Sequence, residues 1–149
     1  MSNPSAYVVL VTQCLQDDDV LNGMVDDFIV GYQRTNADNY LKGTHKACIG
    51  VRNLNLMGQD LPGCAYHGQS TYDQLVEISI TQIADNDTYI SGIVAEILRI
   101  MKRPLTKTIG GVSYSVSTDG SPRFRPVNDP AFMDRIEVNG TFRLIYRDA

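Results

Sequence analysis

Four residues of types that bind metals or do thiol chemistry lie between positions 45 and 67: His45, Cys48, Cys64 and His67. Cys64-x-x-His67 is a local pair of a kind found in structural zinc sites, and His45 with Cys48 could complete four ligands. The second pair argues against it. His45 and Cys48 are an odd number of residues apart, so on a strand their side chains leave opposite faces. A cysteine nucleophile needs a base oriented toward its thiol, and nothing in the sequence supplies that orientation. The acidic runs Asp17-Asp18-Asp19 and Asp26-Asp27 lack the spacing of a calcium loop and read as solvated turn and capping residues. The chain also lacks a glycine-rich phosphate loop, a nucleophile elbow and a zinc-protease helix signature. The expectation is therefore a protein without catalytic residues, metal or cofactor, and not an enzyme.

Composition points the same way. The chain has 149 residues, 43% hydrophobic and 20% charged, with a net charge of −4. That length suits one domain over 1–149 with a single core. Residues 1–60 hold four Lys/Arg against seven Asp/Glu, and the rest hold nine against ten. No basic half exists to neutralise many phosphates, which argues against a dedicated nucleic-acid binder. Three cysteines, odd in number and widely spaced, fit a reducing compartment better than a disulfide framework. No signal peptide or membrane-spanning apolar run is visible, so a cytoplasmic place of synthesis and assembly is expected.

The elements that would position these residues follow from periodicity. Asn3-Pro4 reads as an N-cap and first helical residue, opening a helix over 4–16 with Val8, Val11 and Leu15 on one face, flanked by Tyr7 and Cys14. A short second helix is expected near 18–24, then an apolar run Phe28-Ile29-Val30 that is either a strand fragment or a docked loop. Residues 46–56 read as a strand whose phase slips, with a bulge expected near Arg52-Asn53. Residues 72–83 alternate cleanly, with Val76, Ile78 and Ile80 opposite Glu77, Ser79 and Thr81, which predicts a half-buried antiparallel strand. Asp85-Asn86-Asp87 caps an amphipathic helix over 88–102, its stripe formed by Ile90, Ile93, Val94, Ile97, Leu98 and Met101. Gly110-Gly111 opens a strand to Ser117. The last strand, 132–147, puts Ile136, Val138, Phe142, Leu144 and Tyr146 on one face, interrupted by Gly140. The expected fold is α+β: a four-stranded antiparallel sheet backed by the N-terminal and central helices, in the order helix-strand-strand-helix-strand-strand.

Between the last two strands lies a long excursion, Thr118–Ala131, far beyond the usual hairpin connection of about two to five residues. It carries Arg123-Phe124-Arg125, two guanidinium groups flanking an aromatic, residue types enriched in protein interfaces. Arg123, Phe124 and Arg125 are the candidate interface residues. The long polar face of the final strand also suits a sheet whose edges are covered by neighbouring copies.

The whole-chain order of these segments resembles the tail terminator family of long-tailed bacteriophages, also called tail completion or minor tail proteins. The resemblance runs from the N-terminal helix through Asp17-Asp18-Asp19-Val20-Leu21 and Phe28–Val30. It continues through Gln74-Leu75-Val76-Glu77-Ile78-Ser79-Ile80 and the helix Ile90–Met101 to Gly140-Thr141-Phe142-Arg143-Leu144-Ile145-Tyr146. It implies a structural subunit of a homohexameric ring at the head-proximal end of the tail tube, in the neck of the virion. Such a ring ends tube polymerisation, docks the head connector and passes DNA through its lumen without reading sequence. The implied partners are other copies of the chain, the tail tube protein and a neck or connector protein, with no membrane. Mild acidity suits a lumen along which DNA slides; Asp17–Asp19, Asp26 and Asp27 are the candidates to line it. Another neck, head-completion or connector adaptor subunit is the alternative, and a metal- or thiol-dependent enzyme the more distant one.

Overall fold

A computed structural model describes residues 4–31, 40–41, 43, 45–54, 59–60, 71–83, 87–119, 123–127 and 135–147. The chain starts with α1 (Pro4–Gln16) and α2 (Asp19–Asn22), then β1 (Asp27–Val30) and β2 (Ala47–Asn53). Next come β3 (Gln59–Asp60), β4 (Thr71–Ile83), α3 (Asp87–Met101), β5 (Leu105–Ile109), β6 (Val112–Asp119), β7 (Arg125–Pro126) and β8 (Arg135–Arg147).

The expected four-stranded antiparallel sheet is not what forms. The strands run β1-β2-β4-β8-β6-β5 across one sheet, with β3 added to β4 and β7 to β8. The sheet is mixed, because β1 lies parallel to β2 with Phe28 opposite Ile49. The helix-strand-strand-helix-strand-strand order fails with it, for three physical reasons. Phe28-Ile29-Val30 is too short to show a period, yet Asp26 N–H donates to Ala47 O at 3.0 Å and Gly31 N–H to Val51 O at 2.8 Å, which fixes it as a strand. Gly110-Gly111 does not open a strand but joins two. Both glycines have positive φ, +60° and +80°, as a two-residue hairpin turn requires, and the segment from Leu105 to Ile109 is its first arm. The Thr118–Ala131 excursion, finally, contains β7.

The expected bulge at Arg52-Asn53 is also absent. β2 stays in register with β4 from Ala47–Gln82 to Asn53–Val76. The slipped phase arises because Leu54 has left the core: it is 42% exposed, and only its N–H returns, to Leu75 O at 2.9 Å. Leu56, Asp85 and Asn86 lie outside the described residues, as does the Asn3 cap.

The expected helices form. Tyr7, Val8, Leu10, Val11 and Leu15 of α1 and Ile90, Ile93, Ile97 and Met101 of α3 join one core with Ala47, Ile49, Val51, Val76, Ile78, Ile80, Phe142 and Leu144. The spacing of the α3 set is that of one helical face. α1 is different, being buried on nearly every side, including Ala6 and Thr12. It lies against β1 and β2 on one hand and the β5–β6 hairpin on the other, with Tyr7 meeting Tyr114 edge to face at 5.3 Å. Thr12 is tolerated there because its hydroxyl donates to Val8 O at 2.8 Å. The sheet therefore curls around α1.

β4 is not half-buried as expected, since Ser79 and Thr81 on its second face are buried too. A smaller apolar cluster sits at that face, formed by Leu41 and Cys48 with Tyr40, Ile29 and Ile83 against them. Among the described residues no helix is long and apolar enough to cross a membrane.

Leu10 is fully buried at the centre of α1. A Leu10→Ala substitution is expected to cost about 2–5 kcal/mol, measured by denaturant unfolding, whereas Gln13→Ala on the same helix, at an exposed position, should change stability by less than about 0.5 kcal/mol.

Candidate assembly interface

β8 uses both of its edges. β4 occupies one along its whole length, from Thr71–Arg147 to Ile83–Arg135. The other is shared: β6 pairs it at Ser117–Ile145, Thr118–Leu144 and Asp119–Arg143, and β7 at Arg125–Asn139 and Pro126–Val138. Between the Asp119–Arg143 and Arg125–Asn139 pairs the chain advances six residues on one side (125 − 119) and four on the other (143 − 139). β6 and β7 thus lie in succession along one edge of β8, with two more residues between those pairs on their side than on β8. Val127 N–H extends the pairing to Glu137 O at 2.9 Å.

This geometry sorts the three candidate residues. Arg123 and Arg125 are exposed, and Phe124 is half-buried and packed on the main core. The Phe124 ring meets Phe142 edge to face at 6.0 Å and covers Gly140. A Cβ on Gly140 would stand 2.9 Å from Phe124 Cε1 and Cζ, so the glycine that interrupts the apolar face of β8 is the floor on which Phe124 rests. Such covering of a strand glycine by an aromatic ring restores the burial the glycine forgoes. Phe124 is an anchor rather than a protruding contact, and it holds the two guanidinium groups outward. Pro126 has no N–H to offer a further strand, which suits an outer edge.

The other reactive residue types are engaged structurally. Cys48 is fully buried, and burial, followed by the negative charges of Asp27 and Glu137, pushes its thiol up to about 12. A thiol in that state stays protonated at neutral pH and is a poor nucleophile. His45 donates its backbone N–H to Asp26 Oδ1 at 3.1 Å, and its Nδ1 lies 3.2 Å from the Tyr89 hydroxyl. That hydroxyl donates to Met24 O, so it receives the hydrogen of His45 Nδ1. The Asp26 carboxyl occupies the space where a side chain on Gly43 would begin. Together these contacts latch the β1–β2 connection onto the start of α3. Cys64 and His67 lie outside the described residues, and among the described residues no group of three or more His, Cys, Asp or Glu could hold a metal ion.

The acidic run after α1 is divided among roles. Asp17 pairs with Lys107 of β5. Asp18 caps α2, accepting from Leu21 N–H at 3.1 Å, and also binds Arg99 of α3 at 2.7 Å. Asp19 and Asp27 are exposed. Slight burial alone would raise Asp18, but the hydrogen bonds from Arg99 and Leu21 and the charge of Arg99 outweigh it and hold the carboxyl below its ordinary 3.8.

No family model matches the chain, and no curated protein matches it. One solved structure, whose name carries no functional description, is similar over 100% of this chain and 98% of its own, at 10% identity and a TM-score of 0.56. At that identity the likeness speaks to the fold alone.

Two outcomes follow. Gly140→Ala is expected to destabilise by about 1–3 kcal/mol, because the added carbon drives Phe124 off its seat; pairing it with Phe124→Ala should cost less than the sum of the two singles, as a double-mutant cycle by denaturant unfolding would reveal. Asp18, with a folded pKa below its unfolded one, adds stability above the unfolded value that is lost as pH falls through the folded value. Thermal unfolding between pH 6 and pH 2 (about four pH units) should therefore converge for the wild type and Asp18→Asn only at the acid end.

Proposed function

We propose that this chain is a ring-forming structural subunit of a bacteriophage tail neck, placed as a terminator on the head-proximal end of the tail tube. The observation that carries this reading is the Arg123-Phe124-Arg125 segment. Phe124 is seated on Gly140 and Phe142, and the two arginines flanking it are exposed, Arg125 at the start of the short strand β7 at the rim of the sheet and Arg123 just before it. Arginine on a rigid support is well suited to a protein partner, because little side-chain and backbone freedom remains to be lost on docking. The whole-chain resemblance to tail terminators supports the choice of partner: other copies of the chain, tail tube protein and a head connector or neck protein. DNA then crosses the lumen without sequence readout, and the mild net charge of −4 disfavours tight phosphate contact there. The protein acts in the virion neck after assembly in the host cytoplasm, and it catalyses nothing.

Native mass spectrometry and negative-stain imaging of the full chain, alone and with tail tube protein, test the proposal. Six-membered rings, or capping of tube ends, are the expected result; a chain that stays monomeric and ignores tube ends overturns it. Twelve-membered rings that bind a portal rather than a tube would indicate another neck subunit. Replacing Arg123 and Arg125 together by Ala should weaken assembly at least tenfold, about 1.4 kcal/mol, while thermal stability stays within about 0.5 kcal/mol of wild type.

A further inference from the structure

The ring reading leaves open which surfaces join one copy to the next, and the two ends of the sheet bear on that question. β5 ends the sheet on one side and β1 on the other. In the β5–β6 hairpin, Ile109 faces Val112 across the two-residue turn, so that pair exchanges both main-chain bonds. Pairs alternate in an antiparallel ladder, so Lys107–Tyr114 and Leu105–Val116 are bonded likewise. The N–H and C=O groups of Thr106 and Thr108 therefore point away from β6. Both threonines are exposed, and among the described residues nothing pairs with those outward groups.

Exposed edges are normally guarded by charge, proline or a bulge. β5 reads Leu-Thr-Lys-Thr-Ile, and its one charge, Lys107, is paired at the surface with the exposed Asp17. The threonine hydroxyls are turned to β6 as well, Thr106 to Ser115 and Thr108 to Ser113, each at 3.3 Å. The edge that remains is short, regular and uncharged.

The far end of the sheet offers a complement. β1 is parallel to β2, and the following neighbours β4, β8, β6 and β5 are each antiparallel to the one before. Counting the reversals, β5 and β1 run in the same direction. They are also of similar length, five and four residues. Ahead of β5, separated from it by Pro104, stand Lys102 and Arg103, both exposed; β1 starts at the exposed Asp27, while the carboxyl of Asp26 before it is turned inward to His45 N–H. Side by side and pointing the same way, the two strands bring a basic start against an acidic start.

We propose that the outer edge of β5 pairs in parallel with the outer edge of β1 in a second copy of this chain, with Lys102 and Arg103 of one copy beside Asp27 of the next. The contact is heterologous, so its repetition closes into a ring when the rotation permits. It deepens the ring reading and rests on it.

The test uses the full chain. Thr106→Pro with Thr108→Pro removes two outward donors and no bond to β6; it should weaken association at least tenfold by sedimentation while circular dichroism is unchanged. Asp27→Lys and Arg103→Glu should each weaken association, and the two together in one chain should restore it. Mixing a Thr106→Cys variant with an Asp27→Cys variant should yield, under mild oxidation, a disulfide between the two engineered positions, identified by peptide mass. That cross-link decides the matter should the double-proline variant lose its fold. A wild type that assembles, with a folded double-proline variant assembling equally well, overturns the edge pairing and leaves the ring reading standing. Cross-linking of Thr106→Cys only to itself overturns the choice of β1. A wild type that is monomeric at every concentration overturns both readings.

Discussion

A helix that is apolar on nearly its whole circumference cannot rest on one face of a flat sheet, and α1 is such a helix. Ala6, Tyr7, Val8, Leu10, Val11, Thr12 and Leu15 are all buried, and they point in directions that no single plane could cover. The surrounding strands must therefore wrap it. On one side the wrapping is done by β1 and β2, on the other by the β5–β6 hairpin, which reaches α1 through Tyr114 and Leu105. The positive-φ turn at Gly110-Gly111 makes so tight a hairpin possible, since a residue with a Cβ is strained at both central positions. Lys107, borne on that hairpin, then finds Asp17 at the end of α1.

Enclosing α1 moves burial to places that an ordinary two-layer arrangement leaves wet. β2 becomes an inner strand between β1 and β4, and its run from Ala47 to Val51 is buried on both faces. The Cys48 thiol stays protonated for that reason, because its low-dielectric site disfavours the thiolate more than any neighbour favours it. His45 and Tyr89 also fasten the fold: the His45 backbone N–H is held by Asp26 and its Nδ1 meets the Tyr89 hydroxyl, beside the connection between β1 and β2. Reactive side chains that serve as fasteners leave the rim of the sheet as the part of the molecule with main-chain groups to offer.

Long periodic segments were legible from residue order. The 3.6-residue spacing of α3 and the two-residue alternation of β4 and β8 are written in Ile90, Ile93 and Ile97 and in Val76, Ile78 and Ile80, because each presents a face to the core. Short elements were not. β1 has four residues and β7 two, and neither is long enough to carry a period; both are specified by the strand beside them. The missed β5 has a different cause. Its Leu105 and Ile109 face inward with Lys107 between them, so the alternation reads apolar only once Asp17 is known to neutralise the lysine. At the candidate interface the composition of Arg123-Phe124-Arg125 was visible, but its division of labour was not. What separates anchor from contact is the absence of a side chain at Gly140, far along the chain.

The two outer edges made by the C-terminal half of the sheet are treated in opposite ways, and that contrast has its own logic. Along β7 the edge carries Pro126, which cannot donate, and the exposed charge of Arg125, with that of Arg123 just before it, devices that discourage another strand from adding on. Along β5 the single charge is paired with Asp17, and among the described residues nothing pairs with the outward main-chain groups of Thr106 and Thr108. A protein selected only to stay apart from its neighbours has reason to protect both. Guarding one and not the other leaves, of these two, a single edge with main-chain groups to offer a further strand.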